Sequence, residues 1–286
     1  MYITAKISLL PRNGVRNGKG KQQQTGGNMP KYIKKYELTN QKMTLKKGLV
    51  LYRIRALRDF ACVRKGDLGG WVQSEANLAT DYNNAWVAGE AKVYGEARVI
   101  DDAWVSGSAR VYGNALVSEQ ASVDGNAMVY GSATVSDCAS VGENAKVYGE
   151  AQVLGNAKIS GDAQVCGNAR VSGHATVCEK AQIYGKSAVY DNARLFGNAE
   201  ACGEAVVRYR ARIGGDVKIE ATSDYVTISP IGIDENLLTL TKCGMAFGAY
   251  FEMTWDELME KCNKKDFPKL RRNQYRAAVK FAKAFF

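Results

Sequence analysis

The feature that most limits what this chain can become is an alanine that returns at every sixth residue. From Ala85 it recurs at Ala91, Ala97, Ala103, Ala109 and Ala115 and so on to Ala181; Ser187 takes the position once, and the series resumes at Ala193, Ala199, Ala205 and Ala211. Two residues after nearly every alanine stands Val, Ile or Leu, from Val87 to Ile213, with Ala201 the exception, and two residues further on there is usually Gly or an acid. The unit A-x-[VIL]-x-[G/D/E]-x runs without an insertion from Ala85 to Ala221. Alternation turns Ala and Val to one side of a short strand and the x positions to the other. Glycine after the strand supplies the backbone freedom of a turn. A side of four strand and two turn residues cannot bury its own apolar face, so successive sides must coil around a shared core.

The outward residue after the aliphatic one sets the number of sides per coil. Every third hexad it reads Tyr94, Tyr112, Tyr130, Tyr148, Cys166, Tyr184, Cys202, and the next position is Gly seven times running, from Gly95 to Gly203. The other two columns begin Ile100, Ser118, Ser136 and Ala88, Ser106, Asp124 and are nearly free of tyrosine. The period is therefore eighteen residues, three sides per coil.

An aliphatic residue followed four positions later by a small one, as Val93 is by Ala97, resembles the hexapeptide-repeat left-handed parallel β-helix, a triangular prism. This chain departs from that pattern in placing Tyr or Ser directly after the aliphatic residue and Gly one later. Left-handedness is implied by the resemblance, not by the period. The stretch from Leu57 through Arg58, Asp59, Phe60, Gly66, Asp67, Gly69, Gly70, Trp71, Ser74, Glu75, Asn77 and Leu78 is similar to the lead-in segment of phage- and prophage-encoded hexapeptide-repeat proteins of unknown function, as is ISPIG at Ile228–Gly232. That resemblance implies a bacterial host cytoplasm but no activity.

Four segments are expected. Residues 1–28 are rich in Gly, Asn, Gln and Lys, lack periodicity, and read as a disordered basic arm, with Met29 an alternative start. Residues 29–84 form an N-terminal cap in which YIKKYELT and LVLYRIRAL are strands that close the prism, because a bare parallel edge invites pairing. Residues 85–221 are the β-helix. Residues 222–286 form a C-terminal α+β cap, with strands at Tyr225–Ser229, Leu237–Thr241 and Met245–Glu252. A helix starts at the Thr254–Glu257 capping box and ends near Lys264. A second helix over Lys269–Phe286 carries the stripe Leu270, Tyr275, Ala278, Phe281 and Phe285, expected to pack on the prism's open end.

The net charge of +10 does not mark a uniformly basic molecule. Residues 1–65 carry sixteen Lys/Arg against two acids, residues 66–204 nine against seventeen, and residues 205–286 fourteen against ten. A nucleic-acid role inferred from overall charge would therefore rest on the N-terminal part alone. The seven cysteines form no CxxC pair and read as free thiols of a reducing compartment. No apolar run is long enough to span a membrane, and no cofactor is implied.

The candidate sites follow from the columns. Tyr94, Tyr112, Tyr130 and Tyr148 should stack as a ladder, with Tyr184 beyond a Cys166 interruption, and Lys92, Arg110, Met128 and Lys146 stand beside them. Such a face suits strand registration, a protein interface or self-association, or nucleic-acid binding together with the basic arm. His174, the only histidine, lies in a turn; hexapeptide-repeat acyltransferases use a histidine base, and His174 is the residue that would serve. The related γ-class carbonic anhydrases need three histidines for zinc, which a single one excludes. Without loops inserted between hexads to build a pocket, a small-molecule ligand is not expected. Trp86 and Trp104, one period apart, should touch. Asp101, Glu119, Asp137 and Asp191 share a corner that stacked carboxylates would offer to a cation, though solvation is the expected state. These features together point to a non-enzymatic scaffold or interaction protein.

Overall fold

A computed structural model describes residues 34–286 apart from residues 82, 232–235, 249, 250 and 266. The basic arm expected over residues 1–28 lies outside the described residues. Three strands open the fold: β1 (Tyr36–Thr44), β2 (Val50–Ala56) and β3 (Leu68–Val72). The two-residue strands β4 to β26 follow, from Trp86–Val87 to Lys218–Ile219, one per hexad. Every third rung pairs in parallel with the next at a register of eighteen residues, as Lys92 with Arg110 and Val93 with Val111. Three parallel ladders result, and the molecule is a three-sided β-solenoid of about eight turns.

The core is as narrow as the repeat implies. Ala and Val of every hexad point inward and are inaccessible to solvent. Where Ser187 replaces Ala its hydroxyl is buried and donates to the carbonyls of Tyr184 (2.8 Å) and Ala201 (2.9 Å). Along the corners each turn residue sits at positive φ. In the tyrosine column glycine is needed because the next coil is so close: a Cβ on Gly131 would stand 2.9 Å from the backbone N and O of Gly149.

The ladders have a direction, and the two caps answer it. Most N–H groups around a rung donate to the following coil, as Tyr94 N to Val111 O, while the parallel pairing itself carries bonds in both directions. The first coil therefore presents mainly acceptors and the last mainly donors, groups too costly to bury unpaired. At the start, β3 continues the tyrosine-face ladder in parallel while pairing antiparallel with β2, so the cap grows out of the prism's own sheet. Donors come from the backbone N–H groups of Trp71, Gln73 and Ala79, from Asn77 Nδ2 to the carbonyls of Gly95 and Ala97 (2.8 and 2.9 Å), and from the buried Lys35 Nζ to Ala85 O (2.9 Å). Burial of Lys35 lowers its pKa to about 8. At the far end the cap supplies mostly acceptors: Thr222 Oγ1 for Val206 N–H, Thr239 Oγ1 for Arg212 N–H and the Tyr225 hydroxyl for Arg208 N–H, the same hydroxyl donating to Val206 O (3.1 Å).

Beyond the prism, strands β27 (Tyr225–Ile231), β28 (Asn236–Thr241), β29 (Met245–Phe247) and β30 (Glu252–Thr254) form an antiparallel sheet. The single strand expected over Met245–Glu252 is two, because the Gly248 N–H turns back to the Phe251 carbonyl (2.9 Å). The Thr254 box does start helix α1 (Trp255–Asn263), with Glu257 N–H donating to Thr254 Oγ1. Helix α2 (Lys269–Phe285) buries Tyr275 and Ala278 of the expected stripe but differs from expectation in the rest of its face and in its partner. It buries Tyr275, Ala278, Val279 and Ala282 against α1 and the small sheet, in a core separate from that of the prism. Leu270, Phe281 and Phe285 are exposed. The sheet, not the helix, seals the prism, through Tyr225 and Phe247, whose ring meets Phe196 edge-on.

Candidate functional site: the tyrosine face

Each tyrosine of the column follows an inward valine, so its ring stands outward on a rung locked by two neighbours. Tyr94, Tyr112, Tyr130 and Tyr148 stack with centroids 5.1, 4.9 and 4.9 Å apart and planes within 3° of parallel. Each ring covers its neighbour's face, which leaves the rings half-buried, with edges outward. Burial raises the phenol pKa of Tyr94, Tyr112 and Tyr130. Tyr148 is pushed up to about 12, first by its hydrogen bond with Cys166 and then by burial. Cys166 and then Cys202 take the next alternate rungs, so Tyr184 stands apart from the stack; its hydroxyl donates to Glu200 (2.7 Å), a bond that raises its pKa.

Lys92, Arg110, Met128 and Lys146 are register partners in one row beside the rings. The Lys92 ammonium donates to Glu90 O (2.9 Å), and its pKa is lowered by burial and by the Arg110 charge. Glu90 is held by Arg53 (2.7 Å) and by the Trp71 indole N–H (3.0 Å), and these bonds lower its pKa. The cap hairpin overhangs the head of this row. Leu45, Lys46 and Leu49 face Lys92, Tyr94 and Arg110 across a recess of about 450 Å³. Sequence reasoning missed this recess because it sought a loop inserted between hexads, whereas the wall comes from the turn between β1 and β2.

The remaining candidates fall elsewhere. His174 is exposed in its turn, and its ring bonds to no other described side chain. Trp86 and Trp104 are register partners, yet their rings do not stack; Trp86 is enclosed by the cap, edge-on to Phe60 (5.3 Å) and Tyr36 (6.4 Å). The acidic corner also bonds to the backbone. Asp101, Asp137 and Asp191 adopt positive φ and accept the backbone N–H of the residue one coil on: Glu119 (3.2 Å), Gly155 (2.6 Å) and Tyr209 (2.9 Å). Glu143 and Glu179 do the same for Gly161 and Gly197 on another corner. Asp137 beside it raises the Glu119 pKa. Among the described residues no group of three His, Cys, Asp or Glu is placed to hold a metal ion, and no helix is long and apolar enough to cross a membrane. All seven cysteines are free thiols.

Residues 163–179, about one coil, match the family described as YdcK Beta solenoid repeat, so this part of the prism is similar to that family's repeat. No curated protein matches the chain.

Proposed function

We propose that the protein is a non-enzymatic β-solenoid scaffold whose tyrosine face docks a protein partner or a second copy. The observation that carries this is the closed ladder itself. Ring centroids 4.9–5.1 Å apart leave no gap for a nucleobase, which needs roughly 3.4 Å of clearance on each side of its plane. What the ladder offers outward is a flat strip of ring edges and hydroxyls on a rigid sheet, the amphipathic surface enriched in interface cores. The row from Lys92 to Lys146 adds positive charge at its flank. The neighbouring coils fix every rung, so this surface is preorganised and binding needs little ordering of the scaffold.

A photo-crosslinking residue at Tyr112, compared with one at Thr134 on a different face, tests this. Partner- or self-crosslinks from position 112, absent from position 134 and abolished by Tyr130→Glu, are expected. Equal yields from both positions, or yields unmoved by Tyr130→Glu, refute the assignment.

A further inference from the structure

We propose that the groove between strand β27 and helix α2 docks an extended acidic peptide of a partner protein, which adds as a strand to the edge of the small sheet. β27 stands at the end of that sheet, bonded on one side to β28 and on the other to no described strand. The Lys242 N–H donates to Asp224 O (2.8 Å), one residue before the register pair of Tyr225 with Thr241. Bonded pairs alternate in an antiparallel ladder, so Val226 and Ile228 bond to β28, and the N–H and C=O of Thr227 point to the open edge. No described residue outside the sheet meets them. A donor and an acceptor presented in this way suit another extended backbone.

The groove beside this edge decides what the added strand must carry. The side chains of Val226 and Ile228 face α2, and with Ala277, Ala278 and Phe281 they line a groove of about 580 Å³ that has no charged residue in its wall. A strand laid along β27 turns every second side chain to this side, so those side chains are apolar. Phe281 is 51% exposed and stacks on the exposed Phe285 (5.8 Å), so both rings stand outside the cap's own core. Charge then selects the partner. From Lys269 to Phe285 α2 carries six Lys/Arg and no acid. Lys283 pairs with Asp256 (3.9 Å), whereas Lys269 and Lys280 are exposed and pair with no described acid. A second copy pairing β27 on β27 about a twofold would set two such basic helices on one face of a joined sheet. Like charge opposes that arrangement and favours an acidic segment. The site lies on the cap and does not depend on the role of the tyrosine face.

Fluorescence anisotropy of a labelled heptapeptide alternating glutamate and valine, titrated with the full chain, tests this. It should bind about tenfold or more tightly than the same peptide with lysine for glutamate. Phe281→Ser should weaken it about tenfold and Lys280→Glu about threefold, while Tyr112→Ser, on the prism, leaves it unchanged. N-methylation of alternate peptide residues separates strand addition from apolar adhesion. One set should abolish binding, because it removes the N–H groups turned to β27, and the other should leave it within about threefold. Melting curves identify any variant that fails to fold, and Ala277→Glu then replaces Phe281→Ser. Absence of binding at millimolar concentration overturns the proposal. So does equal loss from the two methylated sets, equal affinity for the lysine peptide, or binding unmoved by Phe281→Ser. Light scattering covers the other occupant: a dimer of the full chain that Phe281→Ser dissociates assigns the groove to a second copy and overturns the acidic partner. None of the peptide outcomes bears on crosslinking from position 112, so the two proposals fail separately.

Discussion

A methyl group on Gly131 would test how closely the coils are spaced. The residue has φ near +73°, and a Cβ there would lie 2.9 Å from both N and O of Gly149, closer than real Cβ contacts come. The left-handed backbone alone costs a non-glycine residue about 1–2 kcal/mol. A stiffer unfolded chain returns about 0.4–1 kcal/mol of that. The steric contribution adds to the difference, because the coils cannot part freely: Ser132 N–H to Gly149 O (2.7 Å) and Tyr130 N–H to Val147 O (3.0 Å) flank the point of contact. Gly131→Ala should therefore destabilise by about 1–3 kcal/mol. Gly131→Asp carries the same Cβ but also an acceptor. The Gly149 N–H has no partner among the described residues, and Asp137 meets the equivalent N–H of Gly155 at 2.6 Å. A charge-assisted bond of that kind is worth about 1.5 kcal/mol. The aspartate variant should therefore be more stable than the alanine variant by about 1 kcal/mol despite its larger side chain. Urea unfolding of the full chain, followed by far-ultraviolet circular dichroism, measures both. An alanine variant as stable as the parent, or an aspartate variant less stable than alanine, would refute the reasoning.

Three further outcomes are expected. Ser187→Ala restores the repeat consensus yet should lower stability by about 1 kcal/mol in the same assay, since it removes buried bonds to Tyr184 O and Ala201 O. Lys35 has a folded pKa of about 8 against an ordinary value near 10.5, so between these pH values the unfolded chain holds more protons. Its contribution must then make stability rise with pH from about 8 to 10.5, and Lys35→Met should flatten that slope in melting temperatures measured across the range. On α2, Phe281→Ser should change stability by less than about 0.5 kcal/mol, whereas Val279→Ser, at a buried position, should cost about 2–3 kcal/mol by thermal unfolding.

The prism was legible because a period is a property of the sequence alone. Ala at one position and Val two later can satisfy an inward face only if every hexad behaves alike, and the tyrosine column then counts the sides. The register of Trp71 on Lys92 was not legible, since β3 precedes the first hexad and its glycines look like a loop. They are small because Ile54, Trp86 and Val87 crowd them: a Cβ on Gly69 would meet Ile54 at 2.5 Å and Trp86 at 2.6 Å. The α2 face was legible in part: Tyr275 and Ala278 of the expected stripe are buried, with Val279 and Ala282, against α1 and the small sheet, whereas Leu270, Phe281 and Phe285 are exposed.

The acids illustrate how a column can be visible and its chemistry still hidden. Asp101, Glu119, Asp137 and Asp191 share one corner with Gly155 and Gly173 between the last two, which by sequence alone looks like a charge cluster interrupted by spacers. The spacers and the acids all occupy left-handed turns, the glycines by lacking a Cβ, and Asp101, Asp137 and Asp191 by offsetting a strained backbone with a bond to the next coil's N–H. The turn N–H that such an acid meets points back to the preceding coil, opposite to most of the donors around the rungs. The excess of forward-pointing donors around the rungs is met by the donors Lys35 and Asn77 at one end and by the acceptors Thr222, Tyr225 and Thr239 at the other. A solenoid cut between coils would expose an excess of carbonyls on one fragment and of amides on the other. A cap of the wrong polarity cannot seal either, so the two caps of this chain are not interchangeable.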